Sequence, residues 1–290
     1  MKTNYTFCKA DNINIFYREA GERSKPAVLL LHGFPSSSHM FRNLIPLLAE
    51  DFYVVAPDFP GFGQTISPCR GEFEYSFDKI ARIIDKFTEI IGLKRYAIYV
   101  FDYGAPVGFR LALWHPERIT AIVSQNGNIY HEGLGPKWTD RAKYWAAPTS
   151  EGRLKFSNAY APDTIIGQYT FGTPQGSVAP DGYMLDIAYV SQPGRKEIQD
   201  DLILDYRTNV ALYPEFQSYL RQHQPPLLAV WGKNDPSFIP AGAEAFKKDL
   251  PDAEIHFVDS GHFALESHLE EIASLMIEFL KRKTAESPTN

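Results

Sequence analysis

The stretch Phe101-Asp102-Tyr103-Gly104 places an acid where an apolar run, Tyr96–Phe101, gives way at once to an amphipathic segment. A carboxylate at such a corner stands above the N-terminus of the next helix, whose dipole and free N–H groups favour an anion. It either caps that helix or is held ready to react, and the corner alone leaves both readings open. Two further side chains with chemical capacity sit at the ends of apolar runs: Asp235 in WGKNDPSFIP and His262 in VDSGHFALE. Two carboxylates and an imidazole can supply a nucleophile, a base and a group that orients the base. Among the eight histidines, His262 alone has such a position. His32, His115, His131, His223, His256 and His268 read as surface or hydrogen-bonded structural groups, and His39 is assigned no chemistry.

The elements that must position these residues are legible as short apolar runs, each closed by Gly, Asp or Asn. They are AVLLLHG (Ala27–Gly33), YVVAPD (Tyr53–Asp58), YAIYVFD (Tyr96–Asp102), ITAIVSQN (Ile119–Asn126), PLLAVWGKND (Pro226–Asp235) and AEIHFVDSGH (Ala253–His262). Near-continuous apolar runs of this length predict strands buried on both faces, as in a parallel sheet. Helical patterns alternate with them: MFRNLIPLLAE, FDKIARIIDKFTEIIG, PVGFRLALWHPE, AGAEAFKKDL and LEEIASLMIEFLKRK. The alternation predicts a doubly wound α/β sheet. YTFCKA and INIFYREA, on either side of Asp11-Asn12, predict an N-terminal hairpin. Residues 128–223 break the rhythm, with many aromatic, Pro and Gly residues and no clean buried strand. They predict a helical insertion, or cap, over the C-terminal sheet edge where open α/β folds bind ligands. The division expected is therefore a core of residues 1–127 and 224–290, with the cap at 128–223. The tail KRKTAESPTN is expected to fray.

Composition narrows the function classes. The 290 residues carry a net charge of −6 and no Lys/Arg stripe, which argues against nucleic acid or an anionic membrane surface as partner. Two cysteines, Cys8 and Cys69, fit a reducing compartment. The N-terminal segment lacks a secretory h-region, and no apolar run approaches the roughly 20 residues of a membrane span. A cytoplasmic monomer or homodimer, acting on a small apolar molecule and water, is the expectation. No HxxEH or CxxC spacing calls for a metal, and no cofactor is expected.

Four motifs in order carry a family resemblance: HGFP after the first buried run, PDFPGFGQT after the second, the Asp102 corner, and the pair Asp235 then His262. From about Ile15 to Lys281 the chain resembles the α/β-hydrolases, and Asp102 at the nucleophile elbow resembles their epoxide hydrolase and haloalkane dehalogenase branch. The resemblance implies a mostly parallel eight-stranded sheet with helices on both faces and an inserted helical cap. It implies Asp102 as nucleophile, His262 as base, Asp235 as its orienting acid, and the N–H groups of Phe34 and Tyr103 as the oxyanion hole. A carboxylate attacking an acyl group would give a high-energy anhydride. Against an sp3 carbon bearing a halide or a strained oxygen it gives an ordinary ester, which His262-activated water can hydrolyse.

Dehalogenases of this kind hold halide with N–H donors at places that here carry Tyr103 and Phe34, so an epoxide is the expected electrophile. Carbon–halogen hydrolysis follows, then an ester or lactone, then a non-catalytic binding protein, which would have little need for His262 or Asp235. Epoxide hydrolases use two cap tyrosines to protonate the opened oxygen. Tyr206 in DYRTN matches the second. The first falls on Arg141 in TDRAKYWAAP, with Tyr144 one helical turn later, so both are carried as candidates.

Overall fold

The computed structural model describes residues 1–285. Eight strands form one sheet: β1 (Asn4–Ala10), β2 (Ile13–Ala20), β3 (Ala27–Leu31), β4 (Tyr53–Pro57), β5 (Tyr96–Phe101), β6 (Ile119–Gln125), β7 (Leu227–Gly232) and β8 (Glu254–Val258). Their spatial order is β1-β2-β4-β3-β5-β6-β7-β8. The β1–β2 hairpin turns at Asp11-Asn12, with Asp11 at φ 52°. β2 pairs antiparallel with β4, and every later pairing is parallel.

Period-2 alternation divides the strand side chains between two cores. Leu29, Leu31, Ile98 and Val100 face one apolar layer, while Val28, Leu30, Ala97, Tyr99 and Phe101 face the other. Helices Phe77–Ile90 and Gly104–Trp114 cover the first layer. Helix Leu269–Ala285 covers the second with Ile272, Ala273, Met276 and Phe279. That helix includes the start of the expected frayed tail, and residues 286–290 lie outside the described residues. Helix Phe77–Ile90 begins at Ser76, whose side chain accepts the Lys79 N–H, with Asp78 in the first turn to complement the dipole.

Two local expectations differ from the structure. The segment MFRNLIPLLAE forms a 3-10 turn, Ser38–Phe41, and a five-residue helix, Leu44–Leu48, rather than one helix. Proline fits only the first turn of a helix, so Pro46 holds the start at Leu44. β8 is not buried on both faces: it is the sheet's edge, and His256 and Phe257 are exposed.

Between β6 and β7 the chain forms helices Trp138–Ala146, Ser150–Phe156, Pro162–Thr170, Pro180–Val190, Arg195–Ala211 and Tyr213–His223. Specific polar links fasten this helical segment to the rest. The Asp205 carboxylate accepts the Phe77 N–H at 2.7 Å, and buried Arg110 donates to the Asn209 side-chain oxygen at 2.7 Å. Above the sheet's C-terminal edge, the Tyr169 ring stacks on Phe263 with centroids 3.7 Å apart. Trp138 stacks on Phe238 at 5.2 Å.

Candidate active site

The C-terminal ends of five parallel strands converge on one point. β5 ends at Phe101, and Asp102 follows with φ 47°, a left-handed conformation that non-glycine residues adopt only when the surroundings enforce it. Helix Gly104–Trp114 starts two residues later. The elbow can be this tight because two neighbours lack a side chain. A Cβ on Gly104 would lie 2.2 Å from the Leu31 carbonyl oxygen, and one on Gly33 would lie 2.4 Å from the Asp102 Cβ.

Asp102 is buried, and its two oxygens have different surroundings. Oδ1 accepts the backbone N–H of Phe34, from the loop after β3, at 2.7 Å. Oδ2 faces His262 Nε2 at 3.6 Å. On its other side His262 Nδ1 meets Asp235 Oδ2 at 2.7 Å. Asp235 is fixed in turn: Oδ1 accepts the Ser237 N–H at 2.7 Å, and Oδ2 also accepts from Asn126 Nδ2 at 2.8 Å. The Asn126 oxygen takes the Gly232 N–H at 2.9 Å and one from the Gln125 amide at 2.6 Å. Gln125 also donates to the His262 carbonyl at 3.0 Å. Burial by itself would lower the His262 pKa, but the Asp235 and Asp102 carboxylates override it and hold the imidazole up at about 9.

The neighbouring histidines do no such work. The Phe59 N–H donates to His32 Nε2 at 3.0 Å, so the ring proton is on Nδ1 and donates to the Gly33 carbonyl. Burial pushes His32 down to about 4, which keeps it neutral and structural. His39 lies beside Arg18, Arg42 and Asp181, outside the Asp102 cavity.

Asp102 and His262 open into a cavity of about 260 Å3, walled by Phe34 and Tyr103 from the core and by Lys137, Trp138 and Arg141 from the helical segment. Two larger clefts, about 740 and 720 Å3, lie open at the surface around Arg70 and Gly194 and hold none of these groups. The Tyr103 phenol, buried beside Asp102, is raised above its ordinary value.

The three expected leaving-oxygen donors fall in different places. Arg141 lines the cavity, its guanidinium 4.7 Å from the Trp138 ring centroid. Tyr206 is fully buried behind the cavity wall, its ring 5.7 Å from Tyr103 and 4.8 Å from Trp138; its hydroxyl lies beside that of Tyr213 but makes no well-aligned hydrogen bond among the described residues. Tyr144 packs on Phe156 and Gly152 and does not line the cavity. Two residues that matter here were not singled out from sequence. Asn126, which in the sequence only closes the apolar run ITAIVSQN, holds Asp235. Lys137 stands four residues before Arg141 in KWTDR, a spacing that puts both on one helical face.

An aspartate–imidazole–aspartate chain above a parallel sheet, beneath a helical roof, defines a hydrolase of the α/β type. Residues 26–269 match the family model for the alpha/beta hydrolase fold, and the chain belongs to that family. It is 47% identical over 277 residues to an uncharacterized hydrolase of Saccharomyces cerevisiae, covering 92% of this chain and 95% of that one. It is 24% identical over 280 residues to a haloalkane dehalogenase of Psychrobacter cryohalolentis, covering 92% and 88%. Among solved structures, a haloalkane dehalogenase from Bradyrhizobium elkani superimposes with a TM-score of 0.81 at 21% identity, covering 99% and 100% of the two chains. A laboratory-evolved potato epoxide hydrolase gives 0.77 at 20%, covering 97% and 100%. Among the described residues, no helix is long and apolar enough to cross a membrane.

Proposed function

We propose that the protein hydrolyses a small molecule at an electrophilic sp3 carbon, an epoxide first, through a covalent ester on Asp102, with residues 128–223 acting as a cap over the site. The observation that carries this reading is the unequal environment of the two Asp102 oxygens. Oδ1 already sits on the Phe34 N–H at 2.7 Å, where it becomes the carbonyl oxygen of the ester. Oδ2 attacks carbon, the C–O bond of the ring breaks, and the opened oxygen takes a proton.

Esterification then changes His262. After the Asp235 charge, the hydrogen bond to Asp102 and its charge also raise the His262 pKa, and both are lost once Oδ2 is alkylated. The imidazole falls toward its ordinary value and releases its proton, which returns through solvent to the phenolate left by the group that protonated the opened oxygen. His262 thus becomes a base only when there is an ester to cleave. It takes a proton from water, the hydroxide adds to the Asp102 carbonyl carbon, and negative charge collects on Oδ1 in the Phe34 and Tyr103 N–H groups. Collapse breaks the ester C–O bond. The tetrahedral hydroxyl proton passes to the departing alkoxide, and Asp102 is left with one oxygen from water. The product is a diol, and His262 again carries a proton beside a carboxylate.

In-line attack drives the leaving oxygen away from Asp102, toward the cap. We assign its proton to Tyr206. The buried Tyr206 hydroxyl has only the Tyr213 hydroxyl beside it and no well-aligned hydrogen bond among the described residues, which leaves its proton uncommitted. The rings of Tyr103 and Trp138 stand between it and the cavity, so they must part for it to donate. Carbon–halogen hydrolysis is the second reading. It is weaker because Phe34 offers no side-chain donor and the Trp138 N–H, at 2.8 Å, is committed to the Ser237 carbonyl.

The test is His262→Gln, mixed with a panel of epoxides and haloalkanes and followed by intact-protein mass spectrometry. An adduct on the Asp102 peptide, equal to the substrate mass less any halide, is expected. An unmodified variant across a panel that the wild type turns over would refute the two-step route.

A further inference from the structure

Charge in the Asp102 cavity is out of balance. Three cationic side chains line it, Lys137, Arg141 and Lys155, against one lining acid, Asp102. Lys155 donates to Asp140 at 2.8 Å and is accounted for. His262 and Asp235 form a pair of their own. Lys137 and Arg141 make no hydrogen bond or ion pair among the described residues, so two free cations face one carboxylate and one positive charge is left over. Arg141 rests against Trp138, with the Phe156 ring 5.9 Å away on the same guanidinium. Aromatic faces attract a cation without using up its in-plane N–H donors, which stay available in a fixed fork.

Lys137 is an exposed residue that also lines the cavity, where its ammonium is partly desolvated beside Arg141. Burial, with Arg141 adding repulsion, pulls it down to about 8, against the opposing pull of Asp235 and Asp102. A bound anion between Lys137 and Arg141 would relieve the repulsion that lowers Lys137 and would meet the free in-plane donors of Arg141. Neither has a role in the two-step chemistry.

We propose that the cavity takes a small monoanionic electrophile, its carboxylate received by the Arg141 fork and the Lys137 ammonium while its electrophilic carbon faces Asp102. This deepens the ester-forming reading and rests on it. It replaces the apolar substrate expected from the aromatic density of residues 128–223, a composition that does not reveal two cations turned inward. A volume of about 260 Å3 lies just below that of drug-sized pockets and favours a small ligand, with ample room for a short carboxylic acid. Glycidate, an epoxide carrying a carboxylate one bond from the ring, has the required parts.

Two measurements test the proposal. In the first, binding of propionate and of its neutral isostere propionamide to the wild-type protein is followed by NMR titration. Propionate is expected to bind at least tenfold tighter, with the difference lost in Arg141→Gln and in Lys137→Met. In the second, the ratio of kcat/KM for glycidate over glycidamide is compared between wild type and Arg141→Lys, which keeps the charge but not the fork. A fall of about tenfold in that ratio is expected. Equal binding of acid and amide by the wild type, or an acid preference that survives both charge-removing variants, overturns the proposal. Because propionate binding needs no reaction, its failure is separable from that of the ester mechanism. An Asp102 adduct from glycidamide in His262→Gln, without propionate selectivity, would leave the mechanism standing and remove only the anion clamp.

Discussion

The strand ends and the helical wall facing them treat polar atoms in opposite ways. Around Asp102, each group is held by another: Phe34 N–H on Oδ1, His262 by Asp235, Asp235 by Asn126 and Ser237, and Asn126 by Gly232 and Gln125. Across the cavity, among the described residues, Lys137 and Arg141 have no ion-pair partner, and the Tyr206 hydroxyl has only the Tyr213 hydroxyl beside it. A closed network fixes geometry to a fraction of an ångström and suits a step common to many substrates. Unpaired groups cost stability and are kept where a ligand completes them. On the proposed function, the core would set what reaction is done and the helical segment would set to what.

The contrast can be sharpened through pH, where the larger effect is expected. The folded value of His262, about 9, lies above its ordinary 6.5. Its contribution to stability is therefore fully present below about pH 6.5 and is lost as pH rises through about 9, with an amplitude on the order of 3 kcal/mol. Melting temperature should fall across that window more steeply in wild type than in His262→Gln, the difference isolating the imidazole from Lys137 and other groups. Parallel curves would mean that the corner network does not hold the proton as described.

The smaller effect belongs to the other wall. Tyr206→Phe removes a buried hydroxyl whose neighbour is the Tyr213 hydroxyl, and should change stability by no more than about 1 kcal/mol while slowing epoxide opening by about 100-fold or more. Thermal melts and single-turnover kinetics read the two halves separately. A variant with full activity would return Tyr206 to plain core, and one destabilised well beyond that limit would mean that its contact with Tyr213 is structural.

The same division marks how far the sequence could be read. Buried parallel strands need continuous apolar runs, so β3 to β7 were visible as Leu, Val, Ile and Tyr clusters, and the residues ending them were visible with them. β8 had the same appearance but is the edge, because pairing order is not written in a single run. Gly33 and Gly104 could be seen flanking the corner, but not that their missing side chains make room for Asp102 and the Leu31 carbonyl. Asn126 stands in the sequence only as the end of an apolar run, because its role is to hold another residue's acid. In the helical segment, alignment by motif pointed to Tyr206, Arg141 and Tyr144, yet the packing turns one behind the wall, one into the cavity and one away from it. Helix faces there depend on tertiary contacts that amphipathic spacing does not encode, so Lys137 beside Arg141 carried no warning.

The most direct measurement follows isotope into the protein. Wild-type enzyme turning over an epoxide repeatedly in heavy-oxygen water should gain the label in the Asp102 carboxylate, found by peptide mass spectrometry, while the first turnover delivers unlabelled enzyme oxygen to the diol. Label that goes directly into product from the first turnover, with Asp102 unlabelled after many cycles, would contradict an ester on Asp102 and the account built on it.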